Sequence, residues 1–365
     1  MICRKCLKDY IDCRCYCPYC GEENPYYNQP PAYICSQQQT PTWDPQAFCH
    51  SFAKATLTEN ESDKSHLFQE VFHSTIEIVK RGEYSFSFFE GIDKYVNDEL
   101  GLEGKYVFLN KHLYPYSKGT LYSSFIGIRQ PNHLYSTKIG VVDNDCVSEA
   151  ISFYKSHYLE NRRIALLSCA SAKNPGGSVT RGKCGQEEYL VLVSDYYRHL
   201  FIYSPDTKYS RQFGLFQADT LYPLNSDYGG VYSPNVVFFR GTQNEGFALL
   251  PRVYKFDIIA VPSVNYRDYD ALEDCNEKYS IIRNRLINKI KTIFNIAIEN
   301  EVDTLVLTAW GCGAFACPAE LVAKLFHDLL LSDYYGYFKD IIFAIDKSRS
   351  PYNYQSFVDI FGSFV

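Results

Sequence analysis

Asn174-Pro175-Gly176-Gly177-Ser178, followed after seven residues by Gln186-Glu187-Glu188, is the segment of this sequence best suited to chemistry. Adjacent glycines leave φ unrestricted and put no Cβ between the main chain and a ligand. Two carboxylates in the first turn of a helix are tolerated by its dipole and by themselves indicate nothing catalytic. The pair becomes informative because it stands just behind a glycine turn that follows an apolar run ending at Ser168. A carboxyl group placed there can give and take a proton. Two neighbours of like charge also raise one another's pKa, which helps keep one protonated near neutral pH.

Elements that could hold such a site are legible on either side of it. Ile139 to Val142, Ile164 to Ser168, Val236 to Phe239, Phe256 to Val261, Thr304 to Thr308 and Ile341 to Ile345 read as strands. Helical patterns run from Val147 to His157, from Ser280 to Glu299 and onward from Pro318. In the second of these, Ile282, Leu286, Ile290, Ile293 and Ala297 form one apolar stripe. Leu305-Val306-Leu307 and Ile258-Ile259-Ala260-Val261 are apolar without interruption, as inner strands covered on both faces are. The alternation predicts an α/β fold, three-layered with a mixed sheet. Ligands in such folds bind where loops leave the carboxyl ends of strands, so the informative loops should follow Ser168 and Thr308. Phe68, Phe72, Ile76 and Val79 at helical spacing, closed by Lys80-Arg81-Gly82, put the start of this large domain near Asp63, giving residues 63–365.

The N-terminal part has a different texture. Of 14 cysteines, eight fall within the first 49 residues. Cys3-x-x-Cys6 and Cys17-x-x-Cys20, ten residues apart, are spaced as two facing knuckles that can close four thiolates around Zn(II) at about 2.3 Å. Residues 1–24 are therefore expected to be a zinc-ribbon-like module with a structural zinc, in which Cys13 or Cys15 could replace one ligand. Its role is either to staple a segment too short for its own core or to recruit a protein partner. Residues 25–62, with Pro25, Pro30, Pro31, Pro41, Pro45 and Gln37-Gln38-Gln39, read as a polar linker, and Cys35, Cys49 and His50 are a weaker second metal set. The eight histidines form no ligand pattern in the large domain, so catalysis is expected to need no metal.

A formal charge of -6 disfavours general nucleic-acid binding, which needs clustered Lys and Arg. No stretch reaches the roughly 20 apolar residues of a membrane span. The opening Met1-Ile2-Cys3-Arg4-Lys5-Cys6 lacks a secretion signal, so an intracellular place is expected, cytoplasmic or, in a eukaryote, nuclear.

Asn174 to Ser178 with Gln186-Glu187-Glu188 resembles the signature of microbial-type poly(ADP-ribose) glycohydrolases, which are macrodomain proteins. Leu221-Tyr222-Pro223-Leu224, Tyr232 to Arg240 and Ala309-Trp310-Gly311-Cys312-Gly313-Ala314-Phe315 are similar to that family in the same order, from about residue 63 to the end. One departure is Ser178, where the family usually has a third glycine; a serine there is expected to restrict the loop backbone.

The resemblance implies hydrolysis of ribose–ribose O-glycosidic bonds in poly(ADP-ribose) on modified proteins, releasing ADP-ribose. It gives Glu188 the role of general acid, then of base toward water, and Glu187 that of positioning the sugar hydroxyls. Asn174 would bond the terminal ribose, the Gly176-Gly177-Ser178 backbone would line that sugar and the neighbouring phosphate, and Gln186 would orient the loop. Gly311, Gly313 and Ala314 look like a second diphosphate loop. Phe315 resembles an aromatic stacked near the distal ribose, with core packing as its alternative. Either Asp143 or Asp145 could accept from the adenine amino group. Cys184 and Cys312 lie within the two loops with no histidine beside them to form a nucleophilic dyad, and Cys184 reads as a passive small residue. Two other functions fit less of the pattern: a hydrolase of single ADP-ribosyl units, and a non-catalytic ADP-ribose reader whose zinc module docks a partner.

Overall fold

An uninterrupted apolar strand has to be covered on both faces, and the strand Ile164–Ser168 is. Ile164 and Leu166 enter one core, while Ala165 and Leu167 enter the other. The computed structural model describes residues 40–87, 89, 92–95, 106–114, 116–130, 134–271 and 275–364. Its strands are β1 (Glu83–Ser85), β2 (Tyr106–Phe108), β3 (Thr120–Tyr122), β4 (Lys138–Val142), β5 (Ile164–Ser168), β6 (Gly230–Arg240), β7 (Leu249–Ala260), β8 (Thr304–Leu307) and β9 (Asp340–Ala344). Its helices are α1 (Pro45–Leu57), α2 (Glu61–Arg81), α3 (Asn110–Leu113), α4 (Cys146–Ser156), α5 (Gln186–Leu192), α6 (Tyr197–Leu200), α7 (Thr207–Phe213), α8 (Cys275–Glu299), α9 (Ala319–Leu330) and α10 (Pro351–Phe361).

Seven strands form one mixed sheet in the order β3-β6-β7-β5-β8-β9-β4. From β7 to β4 neighbouring strands are parallel, so their carboxyl ends share one edge, while β6 and β3 run antiparallel. β1 and β2 form a separate antiparallel pair. α1, α2, α4 and α5 contribute to the core on one face of the sheet, and α8, α9 and α10 to that on the other. The α8 stripe of Ile282, Leu286, Ile290, Ile293 and Ala297 is wholly buried. Each buried Ile or Leu there contributes about 1.5–3 kcal/mol, which holds α8 against the sheet more firmly than helix propensity could. Among the described residues no helix is long and apolar enough to cross a membrane.

The linker reading fails over its second half. Pro45–Leu57 is a helix with Asp44 as N-cap, its carboxylate accepting from Ala47 N at 2.9 Å, and Pro45 opens it, where a missing N–H costs nothing. Pro41 supplies a carbonyl to Ser85 N at 3.0 Å. The segment is anchored by Trp43, whose Nε1 donates to Gly246 O at 2.7 Å, and by Phe48, which packs edge-on against Phe247. Trp43 also lies under the guanidinium of Arg240, 5.0 Å from it. Two prolines that read as tether thus belong to folded structure, and residues 41–62, expected as linker, pack into the domain that was expected to start at Asp63. Residues 1–39, including Cys3, Cys6, Cys13, Cys15, Cys17, Cys20 and Cys35, lie outside the described residues.

α2 follows the expected pattern: Asn60 caps Ser62 N and Asp63 N, and Gly82 closes the helix at φ 74°, a left-handed conformation that glycine adopts without strain.

Candidate active site

The two carboxylates diverge in what they hold. Glu187 is 3% exposed, and its oxygens accept from Ser171 N at 2.7 Å and Gly176 N at 3.0 Å. Glu188 is half-buried, and its oxygens accept from Ser178 N at 2.8 Å and Gly185 N at 2.9 Å. The Gly185 contact is half of a capping box, an ordinary use for a glutamate at this helix position. Reaching across to Ser178 is not, because that N–H belongs to the glycine turn. The pair therefore stitches α5 to the loop leaving β5 at three points, Ser171, Gly176 and Ser178.

Glycine is required where the turn meets Glu188. Gly177 sits at φ 63°, and a Cβ there would lie 2.3 Å from Glu188 Oε1. Gly176, at φ 74°, would place a Cβ 2.7 Å from the Phe201 ring. Ser178, by contrast, has φ -116°, which any residue adopts, so the serine replacing a third glycine does not strain the loop. The Ser178 hydroxyl accepts from Arg181 Nη2 at 2.6 Å.

Gln186 clamps the end of β5, with Oε1 accepting from Cys169 N at 2.7 Å and Nε2 donating to Leu167 O at 2.9 Å. Asn174 is exposed, and its carbonyl accepts from Gly177 N at 3.0 Å. Ser171 and Gly185 were missed in the sequence. Ser171 has a signal, since its Oγ accepts from Lys173 N and Asn174 N in a serine turn. Gly185 acts only through its N–H and leaves none. Leu224 N donates to Ala172 O at 2.8 Å, so the Leu221–Leu224 segment supports the same loop.

Burial pushes the Glu187 carboxyl well above the usual range; its two backbone N–H partners pull it back, and the charge of Glu188 adds to the rise. Burial also holds the Cys184 thiol up at about 12, with Glu188 adding to it, so Cys184 is a protonated, inert thiol at neutral pH.

The loop after β8 lies at the same edge. Gly311, at φ 81°, is packed against Ser263, and Trp310 Nε1 donates to Val261 O at 2.8 Å, tying the loop to the end of β7. The Gly311 N–H also faces the Cys169 thiol next to β5. Gly313 and Ala314 are exposed, Phe315 is half-buried, and the Phe315 carbonyl accepts from Tyr266 N at 2.8 Å. Asp145 caps α4 through Val147 N and Ser148 N and accepts from Tyr189 OH at 3.1 Å; exposed Asp143 accepts from Lys347 N at 2.9 Å. Among the described residues no group of three or more His, Cys, Asp or Glu could hold a metal ion. Of the second metal set, His50 is exposed and Cys49 Sγ lies 3.9 Å from Asn244 O.

A mixed sheet with two glycine-bearing loops and a helix-borne carboxylate pair at the carboxyl edge of its parallel strands is an α/β fold with its candidate site where such sheets bind ligands. More particularly, residues 73–241 match the model of the family described as microbial-type PARG, catalytic domain. That segment contains the glycine turn and both glutamates. Among solved structures the chain is similar to poly(ADP-ribose) glycohydrolase from Thermomonospora curvata, at 25% identity over 81% of this chain and 100% of that one, with a TM-score of 0.61. It is similar also to that enzyme bound to the inhibitor ADP-HPD, at 24% identity over 80% of this chain and 99% of that one, with a TM-score of 0.59. A comparison with curated proteins gave no match. The matched model is a catalytic domain, and the chain is an enzyme of the glycohydrolase class.

Proposed function

We propose that this protein hydrolyses the ribose–ribose O-glycosidic bonds of poly(ADP-ribose) and releases ADP-ribose, with Glu188 as acid and base. The observation that supports the reading is the bond from Ser178 N of the glycine turn to the Glu188 carboxylate at 2.8 Å, which joins the carboxyl group of α5 to that turn. Cleavage at the anomeric carbon passes through an oxocarbenium-like state, so the leaving oxygen takes a proton as its bond breaks. Glu188 gives that proton, and its carboxylate then draws one from water attacking the same carbon. Both of its oxygens already accept one N–H each, and each keeps a second lone pair for substrate or water.

Glu187 acts through the loop. With both oxygens on main-chain N–H groups, it fixes the turn that meets the terminal ribose, together with Gln186 from below. Asn174, Gly176, Gly177 and Ser178 line that ribose and the adjoining phosphate. Gly313 and Ala314, exposed on the loop that Gly311 turns, offer N–H groups and open surface to the diphosphate, and Phe315 borders the distal ribose. Side-by-side assays on polymer and on mono-modified protein separate this activity from removal of single ADP-ribosyl units. Tight binding without release of product would instead indicate a reader.

For residues 1–24 the reading is a structural zinc held by Cys3, Cys6, Cys17 and Cys20, in a module that docks a protein partner. Metal analysis of the purified full chain should find close to one zinc per molecule, and about none after Cys17→Ser with Cys20→Ser. A wild-type zinc content near zero would remove the metal from the account.

A further inference from the structure

The turn that carries Ser178 also carries cations. Lys173, Arg181 and Lys183 all lie on the catalytic loop and all are exposed, in a chain whose formal charge is -6. Among the described residues none of the three has a carboxylate at salt-bridge distance. Arg181 differs from the two lysines in being held: its Nη2 donates to Ser178 Oγ at 2.6 Å, and Ser178 N donates to Glu188 Oε1 at 2.8 Å. One residue therefore links the guanidinium to the proton donor.

The turn itself is fixed from behind. Gln69 Nε2 of α2 donates to Thr180 O at 2.9 Å, and Gly182, at φ 70°, packs so closely on Ser65 that a Cβ would meet its carbonyl at 1.9 Å. An exposed guanidinium on a turn held from behind, with one N–H on a hydroxyl, can take a phosphate group. In the proposed reading, exposed Gly313 and Ala314 of the second loop take the diphosphate of the terminal unit. The anion left without a partner is on the other side of the scissile bond, where the leaving group is the next ADP-ribose unit with its own diphosphate.

We infer that Arg181, oriented by Ser178, binds the diphosphate of the leaving unit and so makes the enzyme favour polymer over substrates whose leaving group carries no phosphate. The inference rests on the proposed glycohydrolase activity. Arg181 is a specificity residue in this account and takes no part in proton transfer. The serine that departs from the family's third glycine gains a purpose, since glycine offers no hydroxyl to hold the guanidinium.

KM and kcat of the full chain are to be measured separately on poly(ADP-ribose) and on an ADP-ribose glycoside of an uncharged phenol, for wild type, Arg181→Gln, Arg181→Lys and Ser178→Gly. Arg181→Gln should lower the polymer-to-aryl ratio of kcat/KM about tenfold, through KM on the polymer, as expected for loss of one charge-assisted contact near solvent. Arg181→Lys should recover part of the ratio, Ser178→Gly should lose part of it, and added salt should erode the preference in wild type more than in Arg181→Gln. An equal rise of KM on both substrates would mean that Arg181 serves the terminal unit's own diphosphate. An equal fall of kcat on both would mean that it only supports the turn. Either result, or an unchanged ratio, overturns the inference while leaving the glycohydrolase reading intact. Failure of the wild type to release ADP-ribose from polymer would sink the underlying activity and the inference with it.

Discussion

Glu188→Gln should lower kcat on poly(ADP-ribose) by at least about a thousandfold, within the range by which a positioned acid–base group accelerates a reaction. Affinity for ADP-ribose should stay within about tenfold of wild type. The reason lies in the geometry. Glutamine keeps the shape of the side chain and one oxygen to accept from Ser178 N or Gly185 N, but its NH2 then faces the other N–H, at a local cost of about 1 kcal/mol. The turn survives with its ligand surface, while the transferable proton is gone. Turnover that persists near the wild-type rate, measured by release of ADP-ribose over time, would take the acid–base role away from Glu188.

Gly177→Ala is the second large effect, and it arises without touching a titratable group. The new Cβ would lie 2.3 Å from Glu188 Oε1, and φ at 63° already disfavours an alanine. The left-handed conformation costs about 1–2 kcal/mol, and relief of the clash has to displace either the turn or the carboxylate. A shift of about 1 Å at the reacting groups costs about a hundredfold in rate. We therefore expect kcat to fall about a hundredfold and the midpoint of thermal unfolding to drop by several degrees, a few kcal/mol at most being at stake. Gly127→Ala, exposed and with nothing within 4 Å of the added atom, is the matched control and should leave both quantities at the wild-type level. Equal behaviour of the two variants would show that Gly177 is not the point at which the turn and the carboxylate are fitted together.

The inner strands were the most legible part of the fold in the sequence. Strands that cross the interior have to be apolar throughout, so Ile164–Ser168 could be bounded to the residue and β8 and β9 to within one. The β6–β7 pair was seen only in its second half. Ser233-Pro234-Asn235 interrupts the apolar pattern because the register shifts between Ser233 and Val236, where Asn235 takes φ 53°. A bulge of this kind accommodates a proline that a regular central strand would reject.

Residues 41–62 were misread for a related reason. Their prolines and polar residues carry the local signature of a tether, and only the long-range partners Gly246, Phe247 and Arg240 make Trp43 and Phe48 part of the core. Tertiary packing is absent from local composition. Glu187 and Glu188 were recognised as a pair, yet what each of them holds depends on burial: one is turned inward onto two loop N–H groups, the other is half-buried at the turn. The backbone donors of Ser171 and Gly185 belong to the same category, since a main-chain N–H has the same letter whether or not it holds a carboxylate.

Chromatographic identification of what the purified wild-type chain liberates from poly(ADP-ribose) tests the central claim most directly. The account predicts free ADP-ribose accumulating as the polymer shortens, at a rate that scales with enzyme. Polymer recovered at its original length after prolonged incubation, with ADP-ribose bound tightly and nothing set free, would contradict it.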